Sequence, residues 1–232
     1  MIALKNISKK YRDNAILKNI TVSIPKGLVT GILGPNGAGK STLLRIMAGF
    51  EFADTGAIYI DENKMQNFNQ IKKYLSYMPE NLLIYPDYSV EEFLDFYHSA
   101  MNYIDKELLS ILSLKAVFNK RIKHLSKGWH QRLKLYTAMA NKKSIIVLDE
   151  PFDGFDPLQL KDIIQMILAQ NANGRTFILT IHQLADANKI CNNYILLNNG
   201  AVIAAGNLNQ LSKNFNTGTQ SIEEIFLKAL EK

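Results

Sequence analysis

Two periodicities run along the chain, and they alternate. Apolar and polar positions alternate over residues 2–7, which predicts a half-exposed strand, with Tyr11 following in a polar loop. Residues 16–17 and 20–24 predict a second alternating strand that stops at the turn Pro25-Lys26-Gly27. Continuous apolar runs at residues 29–33, 145–148 and 176–181 predict strands buried on both faces. Residues 56–61 and 74–78 predict two more strands, the second ended by Pro79, and the polar stretch between them predicts a turn with a short helix. Residues 194–197 and 201–204 flank Asn198-Asn199-Gly200, a strong hairpin signal.

Between these strands the apolar residues fall at helical spacing. Residues 42–48 predict a helix ending at Gly49. Ser89 and Glu92 form a capping box ahead of Val90, Phe93, Leu94, Tyr97 and Met101, and a second helix is predicted from about 105 to 114. A third carries Leu133, Leu135, Tyr136, Met139 and Ala140. Asp156-Pro157 opens a fourth, with Leu160, Ile163, Ile164, Ile167 and Leu168 as its buried stripe, and a capping box at Ser221 and Glu224 opens the last. The pattern is that of an α/β fold with a mostly helical insertion over residues 85–143.

Composition narrows this little. A chain of 232 residues with 47% hydrophobic content allows one large domain, or one with a sizeable insertion, around a packed core. Its net charge of +6 comes from Lys and Arg spread along the chain, which reads as solvated faces, and no nucleic-acid partner is expected. The single cysteine, Cys191, cannot form an internal disulfide and fits a reducing compartment. No secretory signal is visible at residues 1–5, and the apolar runs fall short of the roughly 18 residues that span a bilayer. Any action at a membrane is therefore expected to need another chain that crosses it.

The chemistry is concentrated at three strand ends. Gly34-Pro35-Asn36-Gly37-Ala38-Gly39-Lys40-Ser41-Thr42 fits G-x-x-x-x-G-K-[ST] between a strand and a helix. Small residues let successive N–H groups face a phosphate, Lys40 supplies a charge for the β- and γ-phosphates, and Ser41 a hydroxyl for magnesium. The strand at 145–148 delivers Asp149 and Glu150 at its C-terminal end, where ligands bind in a parallel sheet. Beside a phosphate loop, Asp149 is expected to serve magnesium and Glu150 to act as general base toward a water. The strand at 176–181 ends at His182, beside the phosphate site in the expected sheet. The run Leu125-Ser126-Lys127-Gly128-Trp129 at a helix start is either a second anion site or an ordinary helix cap.

Phosphate loop, Leu-Ser-x-Gly segment, Asp-Glu strand end and strand-terminal His, in this order and spacing, resemble the nucleotide-binding domain of an ATP-binding cassette (ABC) transporter. The resemblance covers nearly the whole chain. It implies a P-loop NTPase: a RecA-like core with an antiparallel β subdomain over 1–84 and 144–210, a helical subdomain over 85–143, and a helical tail over 211–232. It also implies an ATPase that uses ATP and magnesium and works as a head-to-tail homodimer or heterodimer. Such a subunit would drive a separate transmembrane permease from the cytoplasmic side. Carried over by position, Tyr11 would stack on adenine, residues 34–42 would hold the phosphates, and Ser41 and Asp149 would serve magnesium. Glu150 would act on the attacking water and His182 on the γ-phosphate. Ser126, Lys127 and Gly128 would address the nucleotide of the partner subunit, and Gly154, Phe155 and Asp156 would form the loop linking the two sites.

The departures from the family pattern are local. Glu80 stands where glutamine is usual and is expected still to ligate magnesium. The signature, commonly Leu-Ser-Gly-Gly-Gln, has Lys127 and Trp129 instead, and Trp129 is free to pack within the helical subdomain or at the dimer interface. Pro79-Glu80, Lys127-Gly128 and the ending at residues 222–227 resemble exporter-type members, which favours export. Glu80 and Trp129 leave open a catalytically silent ATP-binding partner in a heterodimer, against which Glu150 and His182 stand. A soluble ABC ATPase acting on ribosomes or DNA usually carries two cassettes or a long coiled-coil insertion, and neither is seen. An unrelated P-loop kinase or GTPase has no reason to carry Leu-Ser-x-Gly.

Overall fold

The computed structural model describes residues 1–81, 85–218 and 221–231. Strands β1 (Ile2–Tyr11), β2 (Asn14–Ile24), β4 (Thr55–Ile60) and β5 (Asn63–Met65) form an antiparallel sheet in the order β2-β1-β4-β5. A second sheet has the order β10-β9-β3-β8-β7-β6, built from β3 (Val29–Leu33), β6 (Leu75–Met78), β7 (Ile145–Leu148), β8 (Thr176–Thr180), β9 (Asn193–Asn198) and β10 (Ala201–Gly206). Its neighbours pair in parallel except for the β9/β10 hairpin.

The parallel sheet is covered on both faces, and strand alternation says by what. Ile145, Val147, Ile178, Ile195 and Leu197 point into a core shared with the antiparallel sheet and with α1 (Lys40–Met47). Ile146, Leu148, Phe177, Leu179, Tyr194 and Leu196 point the other way. There they meet α3 (Val90–Met101), α5 (Lys127–Met139), α6 (Pro157–Ala172), α7 (Leu184–Ile190) and α9 (Ile222–Leu230). Each such side chain contributes about 1.5–3 kcal/mol by leaving water, so one strand buried on both faces glues two layers. The short α2 (Phe68–Ile71), α4 (Lys106–Ile111) and α8 (Leu208–Phe215) complete the helices. Among the described residues no helix is long and apolar enough to cross a membrane.

Five expectations need correction. Tyr11 ends β1 rather than lying in a loop: the hairpin closes at the pair Tyr11↔Asn14, and register shifts between Leu4 and Lys10 hide the alternation. Leu168 is 37% exposed, so the stripe of α6 is completed by Met166 instead. β8 ends at Thr180, which leaves Ile181 and His182 beyond the ladder. The capping box at Ser89 and Glu92 forms, with Ser89 N donating to Glu92 Oε2 at 2.7 Å, but α9 has no side-chain capping bond from Ser221. The helix expected over 105–114 shortens to α4 and passes into a 3-10 turn at Leu114–Val117.

Candidate active site

β3, β7 and β8 lie side by side, so their C-terminal ends bring the three sequence signals to one edge of the sheet. The phosphate loop leaves β3 and runs into α1. Gly39, the residue before α1, has φ +98°, and a Cβ there would sit 2.7 Å from Leu17 Cδ2. A Cβ on Gly34 would lie 2.3 Å from the Leu197 carbonyl oxygen, so the loop packs close against β9. Lys40 Nζ donates to the carbonyls of Gly34 at 2.8 Å and Pro35 at 3.1 Å. Burial pulls this ammonium below its ordinary range, while the carboxylates of Glu150 and then Asp149 oppose that shift.

The two acids after β7 occupy different surroundings. Asp149 is 1% exposed; its Oδ1 accepts from Ser41 Oγ at 3.2 Å and from Thr180 Oγ1 at 2.6 Å. Glu150 has φ +51°, in the left-handed region that residues with a Cβ occupy at a cost. Its amide donates to Thr180 Oγ1 at 2.8 Å, and its carbonyl accepts from Gln131 Nε2 at 2.8 Å. The Glu150 carboxylate then meets His182, with Oε1 2.5 Å from Nε2. A continuous polar chain thus runs Ser41–Asp149–Thr180–Glu150–His182. Glu150, Thr180 and His182 border a cleft of about 750 Å³ whose other wall includes Asp153, Gly154 and Phe155.

The remaining candidates sit around this chain without joining it. The Tyr11 ring is 42% exposed, while its hydroxyl is bonded to Glu51 and accepts from Arg45 Nη2 at 3.3 Å. Arg45 Nη2 also donates to Thr42 at 3.0 Å, so Tyr11 is tied to the first turn of α1. Glu80 is exposed, and its carbonyl accepts from Lys134 Nζ at 2.6 Å. Ser126 caps α5 by position, and Lys127 Nζ pairs with Asp153 Oδ2 at 2.6 Å. This ion pair joins the start of α5 to the loop after β7. Trp129 is half-buried against the helical core with the Arg132 guanidinium over its ring, so it packs within the helical region. The Asp156 carboxylate caps α6 by accepting from Leu158 N and Gln159 N, both at 2.9 Å.

Thr180, Gln131 and Tyr77 escaped the sequence reading. Burial, and after it the Asp149 carboxylate, hold the Tyr77 phenol well above its usual range. For Gln131 a signal existed, because a polar residue stands on the buried face of α5.

The donor set suits a nucleotide with magnesium. A hard cation that keeps waters and takes one or two carboxylates with phosphate oxygens needs only a pair such as Ser41 Oγ and Asp149 Oδ1 from the protein. Among the described residues no three His, Cys, Asp or Glu side chains gather into a cage.

Known proteins resemble this chain in sequence and fold. The family model described as ABC transporter matches residues 17–153. The ABC transporter ATP-binding protein YtrB of Bacillus subtilis (strain 168) is 30% identical over 220 residues, covering 93% of this chain and 75% of its own. A structure described as the ATP binding subunit of an ABC transporter superposes with a TM-score of 0.90 at 26% identity, over 99% of both chains. The dimeric post-hydrolysis state of an ATP-binding cassette bound to ADP and Pi gives a TM-score of 0.79 at 25% identity, over 90% of this chain and 99% of that one. With its sheet order, its phosphate loop and these likenesses in agreement, the chain belongs to the ABC transporter family as an ATP-binding, ATP-hydrolysing subunit.

Proposed function

We propose that this subunit hydrolyses ATP at the strand ends of β3, β7 and β8 and drives export through a separate membrane-spanning permease. The observation that carries the reading is the unbroken chain Ser41–Asp149–Thr180–Glu150–His182. In this reading residues 34–42 cradle the phosphates, Lys40 turns from the Gly34 and Pro35 carbonyls toward them, and the Tyr11 ring faces the adenine. Ser41 and Asp149, with Glu80, hold magnesium. Bound Mg-ATP supplies the phosphoanhydride to be cleaved and the charge that neutralises its oxygens. Glu150 accepts a proton from water at its carboxylate, and His182 Nε2 keeps that carboxylate oriented.

Ser126, Lys127 and Gly128 are assigned to the nucleotide of a second cassette, in a homodimer or heterodimer, with Asp156 in the loop that links the two sites. The dimeric relative bound to ADP and Pi supports pairing. We assign residues 85–143 to the unit that moves against the core and passes that motion to the permease, at the cytoplasmic face of the membrane. Export rests on Pro79-Glu80, Lys127-Gly128 and the ending at residues 222–227.

Magnesium-dependent ATP hydrolysis by the purified chain beside Glu150→Gln, with dimerisation in ATP followed by size-exclusion chromatography, tests the reading. The expected result is turnover in the parent, and in the variant loss of turnover with a trapped ATP dimer. A variant that hydrolyses at the parent rate would remove Glu150 from its role.

A further inference from the structure

Two polar side chains stand where α5 is otherwise apolar. Positions 131, 134, 135 and 138 share one face of the helix, and all four are buried: Gln131, Lys134, Leu135 and Ala138. An amide and an ammonium are unfavourable in such a place unless each finds a partner. Both do, and on related atoms. Gln131 Nε2 donates to the Glu150 carbonyl at 2.8 Å and Lys134 Nζ to the Glu80 carbonyl at 2.6 Å, the main-chain groups of two acidic residues that follow β7 and β6.

The bond to Glu150 is the informative one. A left-handed residue bearing a side chain relaxes unless its flanking peptides are held. The peptide before Glu150 Cα is fixed by its N–H on Thr180, and the peptide after it by its carbonyl on Gln131. Together these two bonds set the direction in which the Glu150 side chain leaves the backbone, and that direction brings Oε1 to His182 Nε2. Gln131 itself touches neither the carboxylate nor His182 through any hydrogen bond seen here; it acts through the backbone.

We propose that Gln131 is a positioning residue for hydrolysis, which holds Glu150 in its left-handed conformation and makes the aim of that carboxylate depend on how α5 is seated. Since α5 begins at Ser126, contacts made at its first turn are transmitted to the same subunit's own hydrolytic centre. The inference rests on the reading of Glu150 as general base.

The test is Gln131→Met, which keeps similar volume and removes the donor, assayed beside the parent and Glu150→Gln for steady-state Mg-ATP hydrolysis, ATP KM, thermal stability and dimer formation in ATP. The expected result is a kcat lower by about ten- to hundredfold with KM close to the parent's. ATP-bound dimer is expected to accumulate, as is expected of Glu150→Gln. A parent-like kcat overturns the proposal, and so does a loss carried by KM, since that would make Gln131 a binding residue. Should Gln131→Met not fold, Gln131→Asn keeps the amide but withdraws it by one methylene, and the same split is expected of it. Undiminished hydrolysis by Glu150→Gln would defeat the base assignment, whereas an inactive Glu150→Gln beside a fully active Gln131→Met defeats the positioning role alone.

Discussion

Replacing Thr180 by valine removes a hydroxyl and almost no volume, and the structure sets what that hydroxyl is worth. Thr180 is fully buried; its Oγ1 donates to Asp149 Oδ1 at 2.6 Å and accepts from the Glu150 amide at 2.8 Å. Valine fills the same space and can do neither. A bond to a charged carboxylate contributes about 1.5–3 kcal/mol and a neutral one about 0.5–1.5 kcal/mol. Asp149 keeps the Ser41 hydroxyl, so the carboxylate is not orphaned and the lower half of the summed range applies. The expected destabilisation is therefore about 2–3 kcal/mol, or roughly 4–12 °C in Tm for a domain of this size. Urea unfolding can be followed through the single tryptophan, Trp129, which is half-buried in the helical core. ATP turnover should fall with stability, because one atom fixes both acids, while Thr180→Ser keeps the hydroxyl and should retain turnover. If Thr180→Val unfolds within about 0.5 kcal/mol of the parent and hydrolyses ATP normally, the polar chain is not what holds this site.

Gly39→Ala is expected to cost about 1–3 kcal/mol and to weaken nucleotide binding, since φ is +98° and the new Cβ meets Leu17; parent-like urea and ATP titrations would refute this. Tyr11→Ala should weaken ATP binding roughly five- to hundredfold if the ring stacks on the base, whereas Tyr11→Phe, which keeps the ring and loses only the contacts to Glu51 and Arg45, should bind nearly as well; equal affinities in parent and Tyr11→Ala would end the stacking assignment. Burial holds His98 below its ordinary value of 6.5 against the opposing charge of Asp95. The unfolded chain therefore binds the proton first, so this contribution to stability is complete above pH 6.5 and is lost as the pH falls below it. The urea midpoint should fall between about pH 7 and 5.5, and less steeply in His98→Gln; identical slopes would refute it.

The parts of the fold legible in the sequence are those where one residue type repeats a single instruction. Ile145–Leu148 and Thr176–Thr180 are buried on both faces, and their apolar runs say so. Ser89 and Glu92 announce α3 because both bonds of the box form. α7 and α8 were not legible: LADANKI has no clear stripe, and α8 buries only Leu211 behind a box made by Asn207 and Gln210 rather than serine and glutamate. β1 was cut short because its register shifts break the period of two. At the site, the loop and the acids could be read from spacing, since their chemistry fixes residue types. The supports could not. Thr180 looks like any residue of a buried strand, and its importance lies in meeting two residues about thirty positions away, which only the pairing of β7 with β8 brings about.

Asp149 and Glu150 are neighbours with the same functional group, and the structure places them in different surroundings. An extended strand would send the two side chains to opposite faces. Asp149 is buried directly after β7, and two hydroxyls, those of Ser41 and Thr180, donate to its Oδ1. Glu150 turns left-handed, and its carboxylate reaches the His182 imidazole beside the cleft. The conformation is costly by itself, of order 1–2 kcal/mol, and it persists because Thr180 and Gln131 satisfy the peptides on either side. One of these supports comes from the sheet and the other from the helix that starts at the Leu-Ser-x-Gly segment. Hence the aim of Glu150 is set jointly by the sheet that holds the phosphate loop and by the helix that follows the Leu-Ser-x-Gly segment.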